Sequence, residues 1–340
     1  MKKLIAPLLA TLAIPVLAAT PAGTEFSHHD WELACDNTRT CRAAGYQPDG
    51  VEPAVSVLLE RVAGPGRALA ATLQLGSYGD EAPEPKSATV TMKIDGKAVG
   101  PVKIEAQHGT LTPAQAQALV SAVSGTGRVE WTDGTHTWAL SGKGASAVLL
   151  KMDEVQGRLG TMGALLRKGS RPEDTVPGPL PAPEVSPASA GSTEVNLPPA
   201  ARTALLRELR KALDAGTSGC EAFEPDQLTV MKLTPEKLLV QMPCWTGAYN
   251  TGSAYLVANK AAPFNLELVT ADATDYAAGI ITSAQKGRGM GDCWATREWV
   301  WDGRRFVLTE STTSGMCRLV APGGAWRLPT YVAKVTRGPR

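Results

Sequence analysis

The sequence predicts an α+β protein of two domains, each a mainly antiparallel sheet with one or two helices, joined by a proline-rich linker. Three observations carry this prediction. The chain has 340 residues, more than one ordinary domain needs. Eight prolines crowd into residues 171–199 and split the chain into two stretches of ordinary domain size. On both sides of that segment, short alternating runs end in Asp-Gly turns, the signature of hairpins and so of antiparallel pairing.

The elements are taken in chain order. Residues 1–18 read as an export signal: Lys2 and Lys3, an apolar run from Leu4 to Leu17, then small residues around Ala18. Pro7 and Pro15 argue against a buried helix there, and the run is short for a membrane span. The first domain is placed at 24–169. Within it, 89–94 alternates with period two and meets Asp95-Gly96. Thr112 can cap a helix, and Pro113 suits the first helical position of a segment reaching Val123. Val129-Glu130-Trp131 meets Asp133-Gly134 and then 135–140, a second hairpin. A further helix is expected over 145–158, with Val148, Met152 and Val155 on one face.

Residues 170–199 form the linker. Proline fixes φ and cannot donate to a ladder, so an extended, solvated spacer is expected. The second domain, 200–340, opens with an amphipathic helix over 201–213, with Leu205, Leu206, Leu209 and Leu213 as its apolar stripe and Gly216 as its stop. Strands are then expected at 228–233, 238–242, 254–258, 266–269, 296–301 and 306–308, the last two joined through Asp302-Gly303.

The chain carries 34 Lys+Arg against 33 Asp+Glu. Loss of Lys2 and Lys3 with the signal moves the formal charge from +1 to −1. Neither value supplies the basic excess that a nucleic acid or an anionic lipid surface calls for. The six cysteines, Cys35, Cys41, Cys220, Cys244, Cys293 and Cys317, fit an oxidising compartment. Many connectivities are open, but position along the chain suggests three local pairs. Cys35 and Cys41 flank a turn-rich stretch, and Cys220/Cys244 has the same spacing as Cys293/Cys317. The short Cys-x2–4-Cys spacing of zinc sites and the redox Cys-x-x-Cys are both missing from the sequence.

No catalytic constellation is legible. Gly142-x-Gly144-x-x-Ala147 sits where a dinucleotide fingerprint would, but it follows a hairpin strand and no acid-ending strand comes after it. There is no Gly-x-Ser-x-Gly elbow. His28-His29-Asp30 would direct adjacent rings to opposite faces if it were a strand. Glycan hydrolysis would need a pair of acids from Asp153, Glu154, Asp292, Glu298 and Glu310, with His136 as a further candidate. A binding surface is a better match to the residues. Arg297, Trp299 and Trp301 share a strand face, with Trp294 and Arg318 nearby in sequence, and aromatics with arginine anchor binding sites. For Trp299 and Trp301 themselves, core packing beside a Cys293–Cys317 bridge is the preferred reading. No metal or cofactor is called for.

Three segments also carry a resemblance. They are Asp30-Trp31 with Cys35-Asp36-Asn37 and Cys41-Arg42-Ala43; Leu140-Ser141-Gly142 with residues 152–158; and Cys293 with residues 299–303, Phe306, Cys317-Arg318 and Trp326. Together they resemble the bacterial exported family known as domain of unknown function 1176. The first half is more distantly similar to the invasion-associated locus B proteins. Leu319 stands where a glycine is expected after Arg318. The resemblance implies an exported envelope protein and assigns no catalytic residue. The expectation is a periplasmic protein that acts by binding an envelope protein or cell-wall material. An inhibitor or immunity factor against a wall-degrading enzyme is a narrower form of this reading, and a wall glycan or peptide hydrolase is its rival.

Overall fold

The computed structural model describes residues 23–79, 82, 85, 88–214, 220 and 225–336. The expected export signal and the helix stop at Gly216 lie outside the described residues.

The first half builds two antiparallel sheets. Its strands are β1 (Thr24–His28), β2 (Trp31–Cys35), β3 (Cys41–Tyr46), β4 (Val55–Arg61), β5 (Ala70–Leu75), β6 (Thr89–Ile94), β7 (Lys97–Lys103), β8 (His108–Thr110), β9 (Val129–Thr132) and β10 (Thr137–Leu140). The larger sheet runs β1-β2-β3-β4-β5-β8 and the smaller β10-β9-β6-β7. Both expected hairpins form. Asp95 and Gly96 take φ of 51° and 77°, the left-handed pair that a tight primed turn needs. The run β1 to β5 is a meander; β2 and β3 are buried on both faces, so period-two alternation is weak there, while the edge strand β1 stays largely exposed.

Two helices pack on these sheets. Helix α1 (Pro113–Val123) starts with a full capping box: Gln115 N–H donates to Thr112 Oγ1 and Thr112 N–H donates to the Gln115 side chain. Helix α2 (Ala145–Val155) is shorter than the 145–158 expected. Gly157 adopts φ 68° and ends it, and Arg158 leaves the helix axis to become fully buried. Gly144 begins α2 at φ 94°, and a side chain there would meet the carbonyl of His28. Close backbone approach therefore accounts for the glycine at position 144. Leu59, Leu73, Trp131, Trp138, Leu119 and Leu149 meet in one core between sheets and helices.

The proline-rich segment is extended, but only part of it is solvated, a correction to the spacer expected. Strand β11 (Glu184–Val185) lies within it and β12 (Thr193–Glu194) at its end. Leu180 N–H donates to Thr38 O, Ala188 N–H to Trp301 O and Gly191 N–H to Leu233 O. The prolines cannot donate, but the residues between them can, so the segment is strapped across both halves.

The second half opens with α3 (Pro199–Asp214). Its Leu205 and Leu209 are fully buried against β13 (Thr229–Lys232), β14 (Lys237–Thr246), β15 (Thr251–Asn259) and β16 (Glu267–Ala273). Each such leucine contributes about 1.5–3 kcal/mol through burial. The order here is β12-β13-β14-β15-β16. A second sheet contains β17 (Asp275–Ala277), β18 (Ile280–Lys286), β19 (Trp294–Trp301), β20 (Phe306–Thr313) and β21 (Leu328–Val332), in sequential order. The last strand, β22 (Lys334–Val335), pairs in parallel with β11. Three bridges form: Cys35–Cys41, Cys220–Cys244 and Cys293–Cys317.

The two halves are packed together. Ala34, Ala44, Tyr46 and Ala54 of the first half form a cluster with Val320, Ala325, Leu328, Met316 and Trp326 of the second. Trp326 Nε1 donates to Ser56 Oγ at 2.7 Å, and Asn37 exchanges two hydrogen bonds with the backbone of Val332.

Candidate ligand-binding cleft

The seam between β1 and β20 carries the most site-like chemistry of the described residues. Strand β1 is the edge of its sheet and places Gly23, Glu25 and Ser27 on one face. Ser27 is register partner to Glu32 and Glu25 to Ala34, so Glu32 shares that face. Opposite, β20 aligns Ser311 with Arg297 of β19, and Thr313 with Ala295.

Two clefts lie along this seam, and Glu25 belongs to both. The larger, about 490 Å³, is lined by Arg297, Trp299, Leu308, Ser311, Tyr331 and Glu25 among others. The smaller, about 230 Å³, is lined by Glu25, Phe26, Ser27, Glu32 and Thr313 with their neighbours. Trp299 is half-buried: it packs against the core formed around Trp301 and Phe306 while also lining the larger cleft. The Arg297 side chain is half exposed and lies 4.0 Å from Asp272. Asp272 accepts a hydrogen bond from Trp245 Nε1 at 3.2 Å, so an Asp–Arg pair links a second tryptophan to the cleft.

At the other end, Glu32 is held in one position. Its Oε1 accepts the Tyr46 hydroxyl at 2.6 Å and the Met316 N–H at 2.7 Å. Burial is the main cause that pushes the Glu32 carboxyl above the ordinary carboxylate range, with Glu25 adding to it. Burial, then the Glu32 charge, pushes Tyr46 well above an ordinary phenol. A perturbed carboxyl in a cleft is a marker of functional chemistry. What the larger cleft can do is clear in outline: an aromatic plane, a guanidinium and the Glu25 carboxyl face one space, while Glu32 lines the smaller cleft beside it.

The five residues of the expected binding surface divide into separate places. Arg297 and Trp299 meet in the cleft. Trp301, 1% exposed, is a core residue beside Phe306, with ring centroids 5.3 Å apart. Trp294 lies at the far end of β19, where Lys286 Nζ sits 5.4 Å from its ring centroid. Arg318 is partly buried between the halves, pairing with Asp30 at 2.8 Å and Asp49 at 3.3 Å. The strand alternation is right for Arg297, Trp299 and Trp301, but the sheet dips into the core before its end, which takes Trp301 out of reach of solvent. Glu25, Glu32 and Tyr331 gave no sequence signal, because they reach the cleft from three separate strands.

The candidate acids are individually engaged. Asp153 is fully buried, accepts from the N–H groups of Leu165 and Leu166, and faces Arg61 at 3.6 Å. Glu154 points away from it to Lys151. Asp292 is tied to Arg288. Glu298 and Glu310 are cross-strand partners, but Thr309 donates to the first and Arg327 pairs with the second. His136 pairs with Asp133. The rings of His28 and His29 do approach, with centroids 4.3 Å apart, because His29 leaves the strand at φ 52° and strand alternation no longer applies. Asp292, Cys293 and Cys317 cluster closely, but both sulfurs belong to a disulfide and are not thiolate ligands.

Fold, crosslinks and cleft define a disulfide-bonded, multi-sheet α+β protein with a mixed polar and aromatic cleft at the seam of its halves. The chain belongs to the family described as "Protein of unknown function (DUF1176)", whose model matches residues 25–333. It is 28% identical to "Uncharacterized protein YpfG" of Escherichia coli (strain K12) over 342 residues, covering 91% of this chain and 92% of that protein. No solved structure matches. Among the described residues, no helix is long and apolar enough to cross a membrane.

Proposed function

We propose that this is a periplasmic binding protein for cell-wall material and that the seam cleft takes the ligand. The observation that carries the reading is the pairing of Trp299 with Arg297 in a cleft of about 490 Å³. A cleft of that size is in the usual range for ligand sites. Wall polymer combines sugar rings, carboxylates and amines in one chain. The Trp299 face offers a plane for a ring, Arg297 a partner for a carboxylate, and Glu25 a partner for an amine. Three disulfides support the oxidising compartment that this reading requires.

The test is retention of the processed chain on purified peptidoglycan sacculi. Wild type is expected to bind, and Trp299→Ala and Arg297→Ala are each expected to weaken binding about tenfold or more, as central anchors do. Circular dichroism controls for folding. Wild type that passes through unretained, or both variants retained as well as wild type, would overturn the proposal.

A further inference from the structure

A third, separate cleft lies in the first half, on the side of α1. It holds about 290 Å³ and its walls are mostly apolar: Leu69, Ala116, Val120, Ala164 and Leu165. The lining contains no acid, yet it contains two cations, Arg61 and Lys168. Lys168 is exposed at the surface. Arg61 is the opposite: its side chain is 8% exposed. Nε donates to Arg67 O at 3.1 Å and one Nη2 hydrogen to Gly163 O at 2.7 Å. Nη1 has no hydrogen-bond partner among the described residues, its nearest acid being Asp153 Oδ1 at 3.6 Å. Asp153 Oδ1 is likewise without a hydrogen bond, so Nη1 and Oδ1 face each other as a buried ion pair. Asp153 balances the Arg61 charge, which leaves the Lys168 charge as the excess on this cleft.

From this complementarity we infer that the α1 cleft binds a free fatty acid of medium length, its chain against Leu69, Val120 and Leu165 and its carboxylate at the Lys168 end. The volume sits at the low end for ligand sites, so a short chain is the fitting occupant. An apolar wall with only cations in it selects an anionic amphiphile over a neutral or cationic one of equal length. The site is independent of the seam cleft and shares no lining residue with it.

Calorimetric titration of the processed chain tests this with hexanoate, octanoate, octanol and octylammonium. Each buried methylene should tighten binding about fourfold, so octanoate should bind roughly fifteenfold tighter than hexanoate, and tighter than octanol or octylammonium. Gln117, exposed on the rim of the cleft, allows a blocking variant that leaves the core alone. Gln117→Trp should abolish octanoate binding without moving the melting temperature of the free chain. Lys168→Gln should weaken octanoate but not octanol. Retention on sacculi should be unchanged in both variants. Equal affinity for octanoate and octanol, a flat chain-length series, or octanoate binding that survives Gln117→Trp would each overturn the inference.

Discussion

Tyr46→Phe removes one hydroxyl from the buried seam and should cost more stability at neutral pH than in acid. The Tyr46 side chain is fully buried and donates to Glu32 Oε1 at 2.6 Å. A hydrogen bond to a charged group contributes about 1.5–3 kcal/mol, against about 0.5–1.5 for a neutral pair. The phenylalanine ring keeps the packing against Val320 and Leu328, so the loss reads the hydroxyl's bond to Glu32 together with the weaker one it accepts from Met316 N–H. The sign with pH follows from Glu32. Its folded pKa is raised, chiefly by burial, so the folded chain keeps a proton there that the unfolded chain has released. Stability from this group is therefore greatest below the ordinary carboxylate pKa, and falls as pH rises from there through the raised folded value. Above that window Tyr46 donates to a carboxylate, and below it to a neutral acid. Urea unfolding of wild type and Tyr46→Phe should then show a difference of about 1.5–3 kcal/mol at pH 8 that shrinks toward about 1 kcal/mol at pH 4. A difference that is the same at both pH values, or that grows in acid, refutes the reasoning.

Two further outcomes follow from buried groups and crosslinks. Asp153→Ala leaves Arg61 without its counter-charge and Leu165 and Leu166 N–H without an acceptor, so a loss of about 3–5 kcal/mol is expected; exposed Glu154→Ala should stay within about 0.5 kcal/mol, and equal effects in urea unfolding would contradict this. Replacing Cys293 and Cys317 together should cost about 3 kcal/mol, against about 2 kcal/mol for Cys35 and Cys41, because the sequence separations are 24 and 6; the reverse order in thermal melts would show that loop closure is not what sets these values.

Much of the fold was legible where local chemistry decides it. The Thr112–Gln115 box, Pro113 and the Asp95-Gly96 turn act within a few residues, and each does what its pattern implies. The stripe Leu205–Leu209 likewise needed only a period of 3.6. The meander β2–β4 was not legible, because strands buried on both sides lose alternation. Helix α2 was overextended because nothing in periodicity shows that Arg158 is needed elsewhere, beside Glu173 and the Gly64 carbonyl. For the cleft, the strand rule brought Arg297 and Trp299 together correctly, since both lie on β19. It could not supply Glu25, Glu32 or Tyr331, whose proximity depends on how one half docks on the other.

That docking gives the scattered family-like segments a common place. Asp30 accepts from Ser141 Oγ at 2.6 Å and pairs with Arg318 at 2.8 Å, so residues from the beginning, middle and end of the chain meet at one carboxylate. Trp31 Nε1 donates to Ser141 O, and Trp326 reaches Ser56. The loop between β20 and β21 is the clasp. Cys317 ties it to Cys293, Met316 N–H reaches Glu32, Leu319 N–H reaches Asp292, and the Arg318 carbonyl accepts from Gln47. Leu319 turns the loop at φ 53°, a conformation glycine adopts freely, which explains why a glycine would suit that position. Buried polar contacts of this kind give little net stability but demand one geometry. Their consequence here is positional. The clasp continues directly from β20 and ties it to Glu32 of β2 and Tyr46 of β3, so the two halves that wall the seam are held at one separation.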